Sequence, residues 1–342
     1  MSRRMTMTDI SQLAGVSVST VSRALNGSTA IPEATRERIV RIARDHNYVV
    51  DGRARNFRLQ RSQTLALVFP YLGDSRRMIS DPFYMEIMGA ITDALDDYDY
   101  DLVVSRVPAL DDSWCQKYAS QQRVDGVFVV DRSVDDISLQ TLKSLGANVV
   151  IWGAPMPEDD LVSVGCDSIA GGRKAVEHLL SLGRRKIGFI GGPQGMVETH
   201  QRYIGYQQAL EAARMPILSE QVAFTDFTPA QGVAAAERML AAEPDLDGLF
   251  VCSDFMSIGI MESLRAQGRR VPDDISLVGY DDIQLAAFCS PPLTTIRQPI
   301  EQGGRLMVSK MLELIDGHAT DSATLPIDLI VRESCGAQGV AG

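Results

Sequence analysis

From Thr64 onward, short apolar runs alternate with longer amphipathic stretches, and this alternation restricts the possible folds more than any other property of the chain. The runs at 65–69, 102–104, 127–130, 149–152, 187–190, 222–224, 249–252 and 275–278 are apolar at nearly every position instead of every second one. A strand of that kind needs cover on both faces, as inside a parallel sheet. The stretches at 84–95, 172–182, 202–213, 230–241, 256–267 and 302–315 space their apolar residues at helical intervals and supply that cover. Eight runs are more than one sheet comfortably holds. The pattern therefore predicts two doubly wound parallel-sheet subdomains.

Before residue 62 the rhythm is helical, with no run suited to a strand. Residues 8–14 form a short helix carrying Ile10 and Leu13, and Gly15-Val16-Ser17 makes a turn. Ser17 caps a second helix that runs to Leu25 and is stopped by Asn26-Gly27. Pro32 stands where a third helix begins, and Ile39, Ile42 and Ala43 mark its buried stripe. Residues 1–61 hold eleven arginines and five acids, although the whole chain carries −11. A basic head on an acidic body suits a polyanion-binding module attached to a body with another task.

The 342 residues suffice for two or three domains. No stretch approaches the ~20 apolar residues that cross a membrane, and residues 1–6 lack the apolar core of a secretory signal. The expectation is a cytoplasmic protein with no membrane partner. Cys115, Cys166, Cys252, Cys289 and Cys335 show no CxxC spacing, and His46, His178, His200 and His318 no HExxH spacing. Neither a disulfide framework, a metal site nor a cofactor is expected.

The segment Thr8-Asp9-Ile10-Ser11-Gln12-Leu13-Ala14-Gly15-Val16-Ser17-Val18-Ser19-Thr20-Val21-Ser22-Arg23-Ala24-Leu25-Asn26 resembles the helix-turn-helix of the lactose-repressor (LacI/GalR) family. The resemblance continues through Ile31-Pro32-Glu33-Ala34-Thr35-Arg36 and Asn47-Tyr48 and then over essentially the whole remaining chain. Ala14 and Gly15 let two helices approach around a tight turn, and Val16, Val21 and Leu25 pack the second helix on the first. Val18, Ser19, Ser22 and Arg23 are left to face outward toward a major groove.

The resemblance implies that Val18, Ser19 and Arg23 read bases and that Ser17, Thr20 and Ser22 meet phosphate. It adds Thr8, Asn26 and Arg55 to the DNA-contacting set. It also implies that residues 51–62 form a hinge that becomes helical on operator DNA and wedges Phe57, where Leu is usual, into the minor groove. Val50 and Asp51 stand where Pro-Asn is common, and Gly52 lowers helix propensity.

Ligands of open α/β sheets bind beyond the carboxyl ends of the strands. Those ends carry Asp81, Phe83 and Tyr84, then Asp226 and Phe227, then Ser253 and Asp254, and finally Tyr280, Asp281 and Asp282. Carboxylates, hydroxyls and rings of this kind suit a polar, sugar-sized pocket. By resemblance, Asp81-Pro82-Phe83-Tyr84 is a ligand-contact loop, Arg202 and Asp281 bind effector, and Phe227 is a pocket aromatic. Ser253 replaces a frequent Asn, Cys166 sits at another pocket position, and 291–296 is the return crossing between subdomains, with Gln298 nearby.

The expected organisation is an N-terminal all-α helix-turn-helix headpiece (1–50), the hinge (51–62) and a periplasmic-binding-protein-like α/β sensor (63–342). The sensor's subdomains are expected at 63–163 with 293–325 and at 164–292 with 326–342. An enzyme is the first rival. The glycines at 187–195 lack GxGxxG spacing, and Pro193 removes a backbone donor that phosphate would need. A free solute-binding protein is the second, and the basic head argues against it. The expected function is a transcriptional repressor whose operator affinity responds to a sugar or sugar derivative. Its partners are double-stranded DNA with a pseudo-palindromic operator, that small molecule, and a second copy in a homodimer. No heptads follow Arg332, so a dimer is expected instead of a coiled-coil tetramer.

Overall fold

The computed structural model describes residues 5–25, 28–46, 48, 61–73, 77–120, 123–134, 137–156 and 160–337. Asn26, Arg55 and Phe57 of the expected DNA-contacting set lie outside them, as do Asn47 and residues 50–52. The chain divides into two compact units, Met1–Ser62 and Gln63–Gly342.

In the first unit α1 (Met7–Ala14), α2 (Val18–Leu25) and α3 (Glu33–Asp45) pack around Ile10, Ala14, Val21, Ala24, Ile39 and Ala43. The Thr6 hydroxyl accepts the Asp9 amide and the Asp9 carboxylate accepts the Thr6 amide, so two amides orphaned at the start of α1 are satisfied. Gly15 ends α1 at φ +62°, a left-handed conformation open to glycine without steric cost. The Ser17 hydroxyl accepts the Thr20 amide at 3.1 Å and caps α2. One expectation fails here. Ser22 does not face outward but is only 5% exposed, because α1 and α3 both pack against α2 and leave little of its circumference open.

The second unit contains β1 (Thr64–Tyr71), β2 (Asp101–Pro108), β3 (Gly126–Val130), β4 (Val149–Trp152), β5 (Val162–Cys166), β6 (Ile187–Gly191), β7 (Val222–Phe224), β8 (Gly248–Val251), β9 (Ser276–Asp281), β10 (Thr294–Arg297), β11 (Ala323–Leu325) and β12 (Asp328–Ile330). They form two six-stranded sheets ordered β11-β5-β4-β3-β1-β2 and β12-β10-β9-β8-β6-β7. Every neighbouring pair is parallel except β10 with β12. Both faces are covered. Leu65, Leu67 and Phe69 of β1 join the core built with α4 (Pro82–Ala94), while Ala66 and Val68 join another with Trp114, Tyr118, Leu139 and Leu142.

The subdomain limits differ from those expected. Residues 164–166 belong to the first sheet, because β5 pairs with β4, and 294–297 belong to the second, because β10 pairs with β9. The chain crosses after Cys166, after Arg297 and between Leu325 and Asp328. Ser163 and Gly165 interrupt the apolar pattern of β5 and hide the strand from hydrophobic periodicity, although both are buried.

Four further helices matter for the site: α5 (Ser168–Ser181), α6 (Val197–Ala212), α7 (Asp254–Ala266) and α8 (Ile300–Ile315). α5 and α6 cross with backbone against backbone. A methyl group on Gly205 would run into the Ile169 carbonyl and the Arg173 amide, and one on Gly172 into the Arg202 carbonyl. No side chain stands there to yield, so a Gly205→Val protein should lose more than the ~1–3 kcal/mol usual for overpacking. A urea midpoint within error of wild type would show that the helices can separate freely.

Candidate functional site

The carboxyl ends of β1, β3, β6, β8 and β9 converge where the two lobes of the second unit meet. The lobes touch directly. Ser133 and Met196 form an antiparallel bridge, the Val134 amide donates to the Gly195 carbonyl at 2.8 Å, and the Val197 amide donates to the Arg132 carbonyl at 3.0 Å. Farther along, the Gln284 amide donates to the Glu86 carboxylate at 2.8 Å.

One side of this cleft is organised by Arg77. Its guanidinium donates to Asp81 and to Asp131, each at 2.9 Å. It lies 4.0 Å from the ring centre of Tyr84 and 4.4 Å from that of Phe227, the latter contributed by the opposite lobe. Tyr84 donates its hydroxyl to Asp131, and Asp81 caps α4 by accepting the Phe83 amide at 3.0 Å. Burial alone would pull the Arg77 guanidinium down, but Asp81, Tyr84 and Asp131 hold it charged well above its ordinary value. Burial raises the Tyr84 hydroxyl well above its ordinary value despite Arg77 beside it. Phe83 fills the space behind, 6.3 Å from Trp152 between ring centres.

Arg202, on α6, organises the other side. It donates to the Cys252 carbonyl at 2.7 Å, stands 3.7 Å above the Tyr280 ring, and comes within 3.9 Å of Asp281. Gln298 donates to the same Asp281 oxygen at 2.8 Å. Burial pushes the Asp281 carboxyl up to about 7, with Arg202 and Arg77 pulling it down and Asp81 pushing it up. Arg77 and Asp81 therefore act on Asp281 from the opposite lobe. Burial likewise pushes the Cys166 thiol, at the end of β5, up to about 12 against the pull of Arg202.

Glu198, in the first turn of α6, is also buried, and neither of its oxygens has a hydrogen-bond partner among the described residues. Burial pushes its carboxyl up to about 7. Asp131 adds to that, and Arg132 and Arg202 oppose it. The Ser253 hydroxyl is buried without a partner among the described residues too.

Backbone strain gathers in the same place. Asp131, Phe227 and Asp281 adopt φ of +68°, +66° and +117°, conformations that cost non-glycine residues about 1–3 kcal/mol each. Such strain persists where surrounding contacts fix the geometry, as a site that must aim specific side chains requires.

The structure thus brings together Asp81, Phe83, Tyr84, Arg202, Phe227, Asp281 and Gln298, with Cys166 and Ser253 beside them. Asp254 is engaged elsewhere, since its oxygens accept the Thr295 hydroxyl at 2.6 Å and the Ile283 amide at 3.0 Å. Sequence reasoning missed Arg77, Asp131 and Glu198 and did not single out Tyr280 as the platform for Arg202. Asp131 directly follows the run at 127–130, so the strand-end rule applies to it as well. Arg77 lies in an aperiodic loop and Glu198 between Val197 and Thr199 at the start of a helix, where nothing local marks either.

In the first unit Thr8, Ser17, Val18, Ser19 and Arg23 are exposed and Thr20 is half-buried. The Ser17 hydroxyl lies 2.8 Å from both the Ser19 and the Thr20 hydroxyls. The exposed face of α2 therefore offers one guanidinium, several hydroxyls and the Val18 side chain.

A helix-turn-helix unit joined in one chain to a two-lobed ligand-cleft unit defines a ligand-responsive transcriptional regulator. Residues 6–51 match the bacterial regulatory proteins of the lacI family, and residues 176–335 match the periplasmic binding protein-like domain. The chain is 37% identical over 337 residues to the HTH-type transcriptional regulator CelR of Thermobifida fusca, covering 97% of this chain and 98% of that one. It is 31% identical over 342 residues to the HTH-type transcriptional repressor CytR of Escherichia coli, covering 96% of each. Among solved structures, a CelR–cellobiose complex superimposes with a TM-score of 0.72 at 36% identity, over 97% of this chain and all of that one. A lac repressor dimer bound to operator and the anti-inducer ONPF superimposes with a TM-score of 0.86 at 25% identity, over 97% and 99%. The chain belongs to the LacI family of bacterial transcriptional regulators.

Among the described residues no helix is long and apolar enough to cross a membrane.

Proposed function

We propose that this regulator is a cytoplasmic homodimeric repressor that binds a pseudo-palindromic operator and changes its grip when a carbohydrate enters the interlobe cleft. The observation that carries the reading is the cleft itself, where Arg202, Asp281 and Gln298 from one lobe face Asp81 and Tyr84 from the other. Planar polar groups beside aromatic rings are what a ring of hydroxyls needs, since each hydroxyl both donates and accepts while the sugar's apolar face stacks. The similarity to a protein whose structure contains cellobiose supports the same ligand class.

On this reading Arg202 and Asp281 bind effector hydroxyls, and Phe227, with Tyr84, supplies stacking. Effector alters DNA affinity by its differential affinity for the two lobe arrangements. The test is fluorescence anisotropy with DNA flanking the protein's own gene, repeated with a carbohydrate panel in which cellobiose comes first. A sugar that both stabilises the protein and shifts its DNA affinity is the expected result. Intact DNA binding indifferent to every sugar would overturn the sensing half.

On the DNA side, Arg23 is the exposed guanidinium on α2. Arg23→Ala is expected to cost about 1–3 kcal/mol at the operator and to flatten preference at one base pair. Competition with single-base operator variants measures this. An equal loss on every sequence would assign Arg23 to phosphate instead.

A further inference from the structure

The charges around the cleft are unevenly committed. Arg77 is matched by Asp81 and Asp131, and Arg202 by the Cys252 carbonyl and Asp281. Arg132 reaches the Ala154 carbonyl at 3.5 Å. Against these three guanidinium groups stand four carboxylates, of Asp81, Asp131, Glu198 and Asp281, and all of them are buried. Only Glu198 has both oxygens without a hydrogen bond among the described residues.

The fold makes room for that carboxylate. Gly153, at the end of β4 in the opposite lobe, faces it so closely that a methyl group there would come within 2.9 Å of Glu198 Oε1. The hydroxyls of Thr199 and Ser253 are buried without partners among the described residues as well. Buried polar atoms ordinarily find partners; an ionised carboxylate accepts hydrogen bonds, and a protonated one can also donate. A partner that can donate as well as accept suits either form.

A hydroxyl-bearing neutral molecule does so at no cost in charge. A phosphorylated or carboxylated sugar would bring a further negative charge beside these four carboxyl groups, with Arg77 already held by two of them. We propose that Glu198 selects the effector by charge, accepting hydrogen bonds from hydroxyls of a neutral sugar and rejecting its acidic counterparts. This rests on the carbohydrate-sensing reading of the cleft.

The test is a thermal-shift and calorimetric comparison of the full chain with two probe sets. The neutral set is cellobiose, glucose and maltose, and the acidic set is cellobionate, glucuronate and glucose 6-phosphate. At least one neutral sugar should bind, with every acidic probe at least tenfold weaker. Glu198→Gln should weaken the neutral sugar at least tenfold and narrow its advantage over the acidic probes, whereas Glu198→Asp should keep the rejection of acids. A merely structural Glu198 would leave the neutral-to-acidic ratio unchanged in the Gln variant, and that ratio would overturn the assignment. An acidic probe that binds wild type tightest would overturn it too while leaving carbohydrate sensing intact. Silence from both sets would remove both readings together.

Discussion

An Arg77→Met protein is expected to unfold about 3–5 kcal/mol more easily than wild type at pH 8, because removing one partner of a buried ion cluster leaves the others uncompensated. Arg77 is 7% exposed and bonds Asp81 and Asp131, and its planar group also fills the space between the Tyr84 and Phe227 rings. Methionine replaces much of the volume but none of the charge, so Asp81 and Asp131 would face each other's field without a cation. The urea midpoint should fall with an unchanged slope. Arg77→Lys should recover only part of the loss, since one ammonium cannot reproduce a fork stacked between two rings. A loss below ~1 kcal/mol at pH 8 would mean that the lobes hold this arrangement without the guanidinium.

Glu198→Gln should act in the opposite direction, raising stability by up to about 3 kcal/mol at pH 8. Burial holds the folded carboxyl at about 7, against an ordinary value of 4.5. Below the ordinary value both folded and unfolded chains keep the proton, and Glu198 carries no penalty. As pH rises from there to about 7, the unfolded chain releases the proton while the folded one retains it, so stability falls. Above about 7 both forms are ionised and the penalty stays constant. Glutamine does not ionise, so the variant's advantage should be small at pH 5 and full at pH 8, read as the difference in Tm between the two proteins. An advantage independent of pH would locate its cause in packing instead of charge. A residue kept at such a cost without a ligand is consistent with one that finds its hydrogen bonds when a ligand is present.

The headpiece was legible because its determinants are local. Gly15 supplies the left-handed turn, Ser17 the cap, and Ile10, Val21, Ile39 and Ala43 recur at helical spacing, so neighbours in sequence carry the signal. Ser22 was misread for the same reason. A single helix has an outside, but α1 and α3 together leave α2 much less of one. In the second unit the continuous apolar runs identified strands buried on both faces. They could not identify β5, whose Ser163 and Gly165 are buried yet not apolar, nor tell which sheet β10 joins.

By itself, then, the sequence determined the two kinds of unit, the doubly wound class of the larger one, and much of the constellation that lines its cleft, including Arg202, Phe227 and Asp281. The units, Phe227 and Asp281 follow from periodicity, from turn chemistry and from the rule that strand ends deliver side chains to a crevice, whereas Arg202, on a helix, follows only from the family resemblance. Only the tertiary structure decided that Arg77 is a buried cation shared by two carboxylates, that Asp254 is spent on Thr295 and the Ile283 amide, and that Glu198 stands without a partner among the described residues. The reason is physical. Whether a charged side chain is solvated, paired or stranded depends on residues far away in the chain, as with Arg77 and Asp131, 54 residues apart, and no local pattern records that distance.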